Sequence, residues 1–194
     1  MLQTSLFDVP GALLDDASGR ILYTPGLIAA DLAQAWFAYL HAAMPWRGER
    51  RTMYEREVDV PRLRVECSLD DPALPAPLAE AAAIVAAAVR APFDSVGLNL
   101  YRDRHDSVAP HNDKLQHLAA GQPIALLSLG AVRRMVIRAK RPPRRQLQLD
   151  VEPGSLLVMS YATQLHYDHG IPKEAAAVGP RISLAFRVRQ PPQP

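Results

Sequence analysis

At Pro92 the hydrophobic period of this chain changes, and that change limits the folds open to it. Upstream lie two stretches with helical spacing. Residues 29–44 place Leu32, Trp36, Leu40 and Ala43 on one stripe, and Pro45 stops the pattern. Residues 78–90 are alanine-rich and bounded by Pro77 and Pro92. Downstream, Val96, Leu98 and Leu100 alternate with Gly97, Asn99 and Tyr101, the pattern of a half-buried strand. Further short strands are predicted over 123–129, 134–139, 146–151, 155–159 and 181–188. Gly121, Gly130, Pro142-Pro143, Pro153-Gly154 and Gly179-Pro180 separate them. Two helices followed by many short strands predict an α+β domain whose β part is a sandwich or jelly roll. Residues 47–75, charged and punctuated by proline, read as short strands and loops. The expected boundaries are an irregular N-terminal arm over 1–25, one domain over 26–189 and a disordered tail over 190–194.

Composition narrows the function classes. Hydrophobic residues at 48% and charged residues at 22% match a soluble globular domain. The most apolar run covers residues 81–89, too short for a membrane span of roughly 20 residues. The first eight residues lack the charged and apolar regions of a signal peptide. Cys67 is the single cysteine, which excludes an internal disulfide and a cysteine-rich metal site and points to a reducing cytosol. No obligate protein partner is indicated. The net charge of +2 is unevenly spread: residues 133–145 hold Arg133, Arg134, Arg138, Lys140, Arg141, Arg144 and Arg145 with no acidic residue. Such a run suits a nucleic acid, and equally a solvated loop between strands.

Two groups of residues carry chemistry. In His111-Asn112-Asp113, a strand would project His111 and Asp113 to the same side, giving one imidazole and one carboxylate. That is two-thirds of a facial triad for non-haem iron(II). A third ligand must come from elsewhere; His166 and His169 have opposite parity, so an extended strand would aim one of them inward. The second group is the strand pattern beginning at Arg181. Ile182, Leu184, Phe186 and Val188 form its apolar face, and Arg181, Ser183 and Arg187 share the other. Two arginines on one side of a half-buried strand either face solvent at a sheet edge or require an anion, and a dicarboxylate would supply one.

Taken together, these residues follow the order found in iron and 2-oxoglutarate dioxygenases. Asn99-Leu100-Tyr101, Ser128-Leu129-Gly130, the stretch from Gly154 to Met159, His169-Gly170-Ile171-Pro172 and the stretch from Pro180 to Arg187 closely resemble AlkB and its homologues. The likeness is dense from about residue 95 to 189 and continues upstream at Met44-Pro45-Trp46 and Val60-Pro61-Arg62. It implies a double-stranded β-helix, a jelly roll buttressed by the N-terminal helices. His111, Asp113 and His169 would bind Fe(II), and Arg181 would pair with the distal carboxylate of 2-oxoglutarate. Arg187 would lie near the cosubstrate and the ligating aspartate, with Asn99, Tyr101 and Ser183 on the same cosubstrate face. With O2, such an enzyme hydroxylates a methyl group on a base nitrogen and releases formaldehyde, the chemistry of DNA repair after alkylation damage. The implied partner is single-stranded nucleic acid carrying alkylated bases.

Three departures from the family pattern bear on substrate. Leu115 stands where repair enzymes carry an acidic residue, and a leucine accepts no hydrogen bond from a base. The stretch from Leu63 to Asp71 lacks the aromatic side chains of the family's substrate loop, which leaves Trp46, Tyr54, Tyr161 and Tyr167 as stacking candidates, with Tyr54 the preferred one. Ser183 replaces an asparagine. Arg134, Arg141 and Arg144 sit where DNA-repairing relatives have a charged loop. The second reading keeps the iron chemistry and takes a protein or small-molecule substrate.

Overall fold

A computed structural model gives the architecture for residues 11–53 and 56–190, with the backbone alone over 49–53 and 56–59. Twelve strands and three helices are described. β1 (Gly11–Asp16) and β2 (Gly19–Thr24) precede α1 (Ala30–Ala43), and β3 (Arg47–Met53) and β4 (Arg56–Ser68) precede α2 (Ala76–Val89). Then come β5 (Ser95–Tyr101), β6 (Val108–His111), β7 (Ile124–Gly130), β8 (Arg133–Ala139), β9 (Gln146–Val151) and β10 (Leu156–Met159). α3 (Thr163–His166), β11 (Tyr167–Ile171) and β12 (Arg181–Arg187) complete the series. The strands form two sheets, ordered β1-β2-β10-β7-β12-β5-β4-β3 and β6-β11-β8-β9. All pairings are antiparallel, giving the jelly roll expected.

Two apolar clusters hold the layers together. Trp36 and Leu40 of α1 and Leu78 and Val85 of α2 pack on the outer face of the large sheet, against Leu98, Leu127 and Leu184. Tyr101, Leu126, Leu157 and Ala185 on the opposite face meet Met135, Ile137, Tyr167 and Ile171 of the small sheet. The central strands are therefore buried on both faces, and β5 is more enclosed than its alternation suggested. On α1 the buried stripe is Ala33, Trp36 and Leu40. Leu32 and Ala43, expected on it, are exposed. Trp36 Nε1 donates to Glu80 Oε2 at 3.3 Å, linking the two helices.

Two segments differ from expectation. Residues 11–24, read as part of an irregular arm, form a hairpin that extends the large sheet: Ile21 pairs with Met159 and Thr24 with Leu156. The hairpin also braces α3, because Ser160 Oγ accepts from the Arg20 N–H and Thr163 Oγ1 donates to Ser160 O. Residues 1–10 and 191–194 lie outside the described residues. Within 47–75, where short strands and loops were expected, the seven-residue β3 pairs with β4, which is longer than expected at 13 residues. Pro61 is tolerated in it beside the register shift between Gly48 and Arg50, upstream of the ladder to β5, which runs from Leu63 to Ser68.

Leu184 is fully buried at the centre of β12. Leu184→Ala is expected to cost about 2–5 kcal/mol, seen as a lower urea midpoint at unchanged slope.

Candidate metal and cosubstrate site

Cross-strand register brings the two histidines together. His111 ends β6 and pairs directly with His169 on β11, their ring centroids 4.7 Å apart. Gly170 permits this approach, since a Cβ there would lie 2.8 Å from the Val108 carbonyl oxygen. Asp113 joins them, and the three candidate ligand atoms lie within 4.8 Å of one another. Strand parity is not what places Asp113, because β6 stops at His111. Instead its N–H donates to Gln164 Oε1 at 3.0 Å, and its carboxylate accepts from Arg187 Nε and Nη2 at 2.9 and 3.2 Å. His111 Nδ1 lies 2.9 Å from the Ala109 carbonyl; donation there leaves Nε2 free to bind a metal. His166, the alternative left open by parity, is exposed at the end of α3.

The electrostatics favour ligation. Burial pushes the His169 imidazole down to about 3, assisted by the neighbouring His111. Burial likewise lowers His111. Burial alone would raise the Asp113 carboxyl, but the charge and hydrogen bonds of Arg187 outweigh it and hold the group below the usual carboxylate range. Two neutral imidazoles and one carboxylate are the protonation states that bind a divalent metal, and this donor set suits Fe(II).

β12 supplies the floor. It runs between β7 and β5 in the middle of the large sheet, not at an edge, so both arginines face the interior. Arg181 is 1% exposed and donates Nη2 to Ser128 Oγ at 2.8 Å. Its Nε and Nη1 are buried without a partner. Two unsatisfied guanidinium donors opening on a cleft fit a carboxylate, as 2-oxoglutarate would provide. Tyr101 lies beside it, with the guanidinium carbons of Arg181 and Arg133 each 5.5 Å from its ring centroid. Burial lowers Arg181 to about 10, still cationic at neutral pH, and raises the Tyr101 phenol. Asn99 and Ser183 face each other across β5 and β12, and both line the same cleft of about 660 Å3 as the triad, Arg181 and Arg187.

The candidate substrate residues fare differently. Leu115 packs against the inter-sheet core in a single 3-10 turn and is absent from the cleft lining. Tyr54 lies outside the described residues. Tyr167 is buried in the core, and Trp46 and Tyr161 are packed against it, so no tryptophan or phenylalanine among the described residues lines the cleft. Arg141 and Arg144 are exposed between β8 and β9, while Arg134, also exposed, pairs with Asp150 at 3.4 Å. Arg133 does not belong to that surface. It is 1% exposed and donates to the carbonyls of Asp103, Asp106 and Pro172, pinning two loops. Sequence reasoning missed Gln164 and Lys140, which act on the 112–113 turn across long separations; nothing in their own spacing signals it.

The profile of the 2OG-Fe(II) oxygenase superfamily matches residues 20–187. The chain is a 2OG-Fe(II) oxygenase. Membership brings Fe(II), 2-oxoglutarate and O2 as its cofactors, in accord with the donor set and the free Arg181 donors. Within the superfamily this oxygenase is AlkB-like. It is 38% identical over 102 residues to "DNA oxidative demethylase ALKBH2" of Homo sapiens, covering 49% of this chain and 39% of the relative. It is 37% identical over 107 residues to "Alpha-ketoglutarate-dependent dioxygenase alkB homolog 3" of Homo sapiens, covering 51% and 37%. The matched segments thus span well under half of those relatives. Among solved structures, OsALKBH1 superposes with a TM-score of 0.61 at 15% identity, covering 86% of this chain and 97% of that one, a likeness of fold. No described helix is long and apolar enough to cross a membrane.

Because the folded His169 ring stays neutral down to about 3 while its unfolded counterpart protonates near 6.5, the stability this ring contributes is complete above 6.5 and lost as pH falls toward 3. The urea midpoint of the metal-free oxygenase is expected to drop as pH is lowered from 6.5 to 4. In His169→Asn the drop should be shallower.

Proposed function

We propose that this oxygenase oxidatively removes alkyl groups from base nitrogens in single-stranded nucleic acid, with His111, Asp113 and His169 as the iron ligands. The observation that carries this reading is one cleft holding the triad and the unsatisfied Arg181 beneath a cationic rim, in a chain similar to ALKBH2. Arg62, Arg64, Lys114 and Arg189 line that cleft, with Glu66, which pairs with Arg64 at 2.9 Å and Arg189 at 3.3 Å, and Asp113 as its acidic residues. The basic β8–β9 connection adjoins it, since Lys140 at its root donates to Asn112 Oδ1 at 2.8 Å and Asn112 lines the cleft. Cys67, the single cysteine, supports a cytosolic setting.

Iron(II) held by the triad would, with 2-oxoglutarate, supply hydroxylation of an N-methyl carbon by one atom of O2, the other atom entering succinate as the cosubstrate loses carbon dioxide. The hydroxymethyl adduct then loses formaldehyde and leaves the repaired base. Arg181 would receive the distal carboxylate of the cosubstrate, with Ser128 Oγ accepting from the guanidinium and holding it in place. Arg187 keeps Asp113 ionised and aimed at the metal. Asn99, Tyr101 and Ser183 shape the floor proposed for the cosubstrate, and Leu126, Met135 and Ile171 present an apolar wall.

A second reading, with a protein or small-molecule substrate, is favoured by the packing of Leu115 against the core, away from the cleft lining, and by the lack of a tryptophan or phenylalanine among the described cleft residues.

The deciding assay incubates the Fe(II)-loaded protein, 2-oxoglutarate and O2 with single-stranded DNA and RNA carrying N-methylated bases, followed by mass spectrometry. Loss of methyl groups is expected with wild type and is expected to vanish in Asp113→Ala. Succinate formation with unaltered oligonucleotides would sink the nucleic-acid reading in favour of the second. Charge reversal at Arg141 and Arg144 should weaken oligonucleotide binding and flatten its dependence on log salt by about 0.7 for each phosphate no longer neutralised. An unchanged slope would remove this loop from the interface.

A further inference from the structure

The metal ligand least secured by secondary structure is Asp113. β6 ends two residues before it, so no strand ladder holds it in place. Three contacts substitute. Its N–H reaches Gln164 Oε1, its carbonyl accepts from Asn112 Nδ2 at 2.8 Å, and its carboxylate meets Arg187.

Gln164 is an unusual residue to find there. It is 1% exposed, and its Nε2 faces Met159 Sδ at 3.9 Å, a weak acceptor. Burying a primary amide whose nitrogen meets only a thioether is costly, and an apolar residue of similar size would pack as well. The strong hydrogen bond its side chain makes is the one to the Asp113 N–H. Lys140 completes the arrangement from the other side. Although it belongs to the basic run, its ammonium turns inward, donating to Gln164 O at 2.7 Å and to Asn112 Oδ1 at 2.8 Å. One cation thus ties α3 to the 112–113 turn. Behind α3, the β1–β2 hairpin is fastened through Ser160 and Arg20.

We propose that Gln164 and Lys140 are positioning residues for the carboxylate ligand: with Asn112 they clamp the 112–113 turn and so set the geometry and affinity of the metal site. The inference rests on the assignment of His111, Asp113 and His169 as the ligands. It also separates Lys140 from Arg141 and Arg144, which face solvent.

The test titrates the metal-free chain with Co(II), an oxygen-inert probe, by calorimetry and by visible absorption at saturation. Single-site binding by wild type that is abolished in Asp113→Ala supports the ligand assignment. Its absence, or binding by Asp113→Ala equal to wild type, overturns that assignment and this inference with it. Gln164→Leu is expected to bind Co(II) about 10–100-fold more weakly, with altered band intensities at saturation. Lys140→Met is expected to bind several-fold more weakly while the salt dependence of oligonucleotide binding stays that of wild type. Folded variants that bind within twofold of wild type overturn the proposal. So does weaker binding with a wild-type spectrum, which would reflect reduced stability alone. Should Gln164→Leu fail to fold, the half-buried Lys140→Met decides by the same criteria.

Discussion

The bidentate contact between Arg187 and Asp113 is the interaction on which the site depends. It joins the last strand of the large sheet to the turn that leaves β6 in the small one, so it spans the two layers of the jelly roll at their open end. Both partners are mostly buried, with side-chain exposures of 16% and 13%, which makes the pair expensive to break and keeps the carboxylate charged. Gly97 leaves the room it needs: a Cβ there would stand 3.1 Å from Arg187 Nη1. An ionised carboxylate beside the two histidines, held by a buried cation, is thereby built into the fold.

The large sheet performs two tasks on its two faces. One face is apolar and receives α1 and α2, which supply the core that makes the layer rigid. The other carries Tyr101, Asn99, Arg181, Ser183 and Arg187 toward the small sheet. Strand alternation makes this separation possible, because successive residues of β5 and β12 serve opposite layers. Rigid backing behind a polar floor suits a site whose chemistry depends on holding a cosubstrate and a metal in fixed relation.

Much of this was legible in the residues. The alternation of Arg181, Ser183 and Arg187 with Ile182, Leu184 and Phe186 was evident, and so was the order of the histidine–aspartate pair, the later histidine and the two arginines. Other features were hidden. The hairpin Gly11–Thr24 has weak alternation, and its strand character comes from pairing with β10, a partner more than a hundred residues away. The length of β4 was masked by Pro61 and its charges. Arg133 and Lys140 sit in a basic stretch without an acidic residue, yet both turn inward to carbonyl or amide oxygens of distant segments. Leu115 stood at a position that family likeness assigned to substrate, and its half-buried side chain packs against the inter-sheet core.

By itself the sequence determined the types of group present and the face of each strand on which they lie, because the two-residue period of a strand is local. It therefore carried the candidate metal ligands, the two arginines proposed for the cosubstrate and the jelly-roll class. Tertiary structure decided which of these groups meet. Asp113 reaches the histidines because Gln164 and Arg187 hold a turn that has left its strand. His169 meets His111, while His166 ends a short helix in solvent. Those outcomes rest on hydrogen bonds between residues some 50 to 75 positions apart, as at Asp113, and only the packed sheets bring such partners within reach.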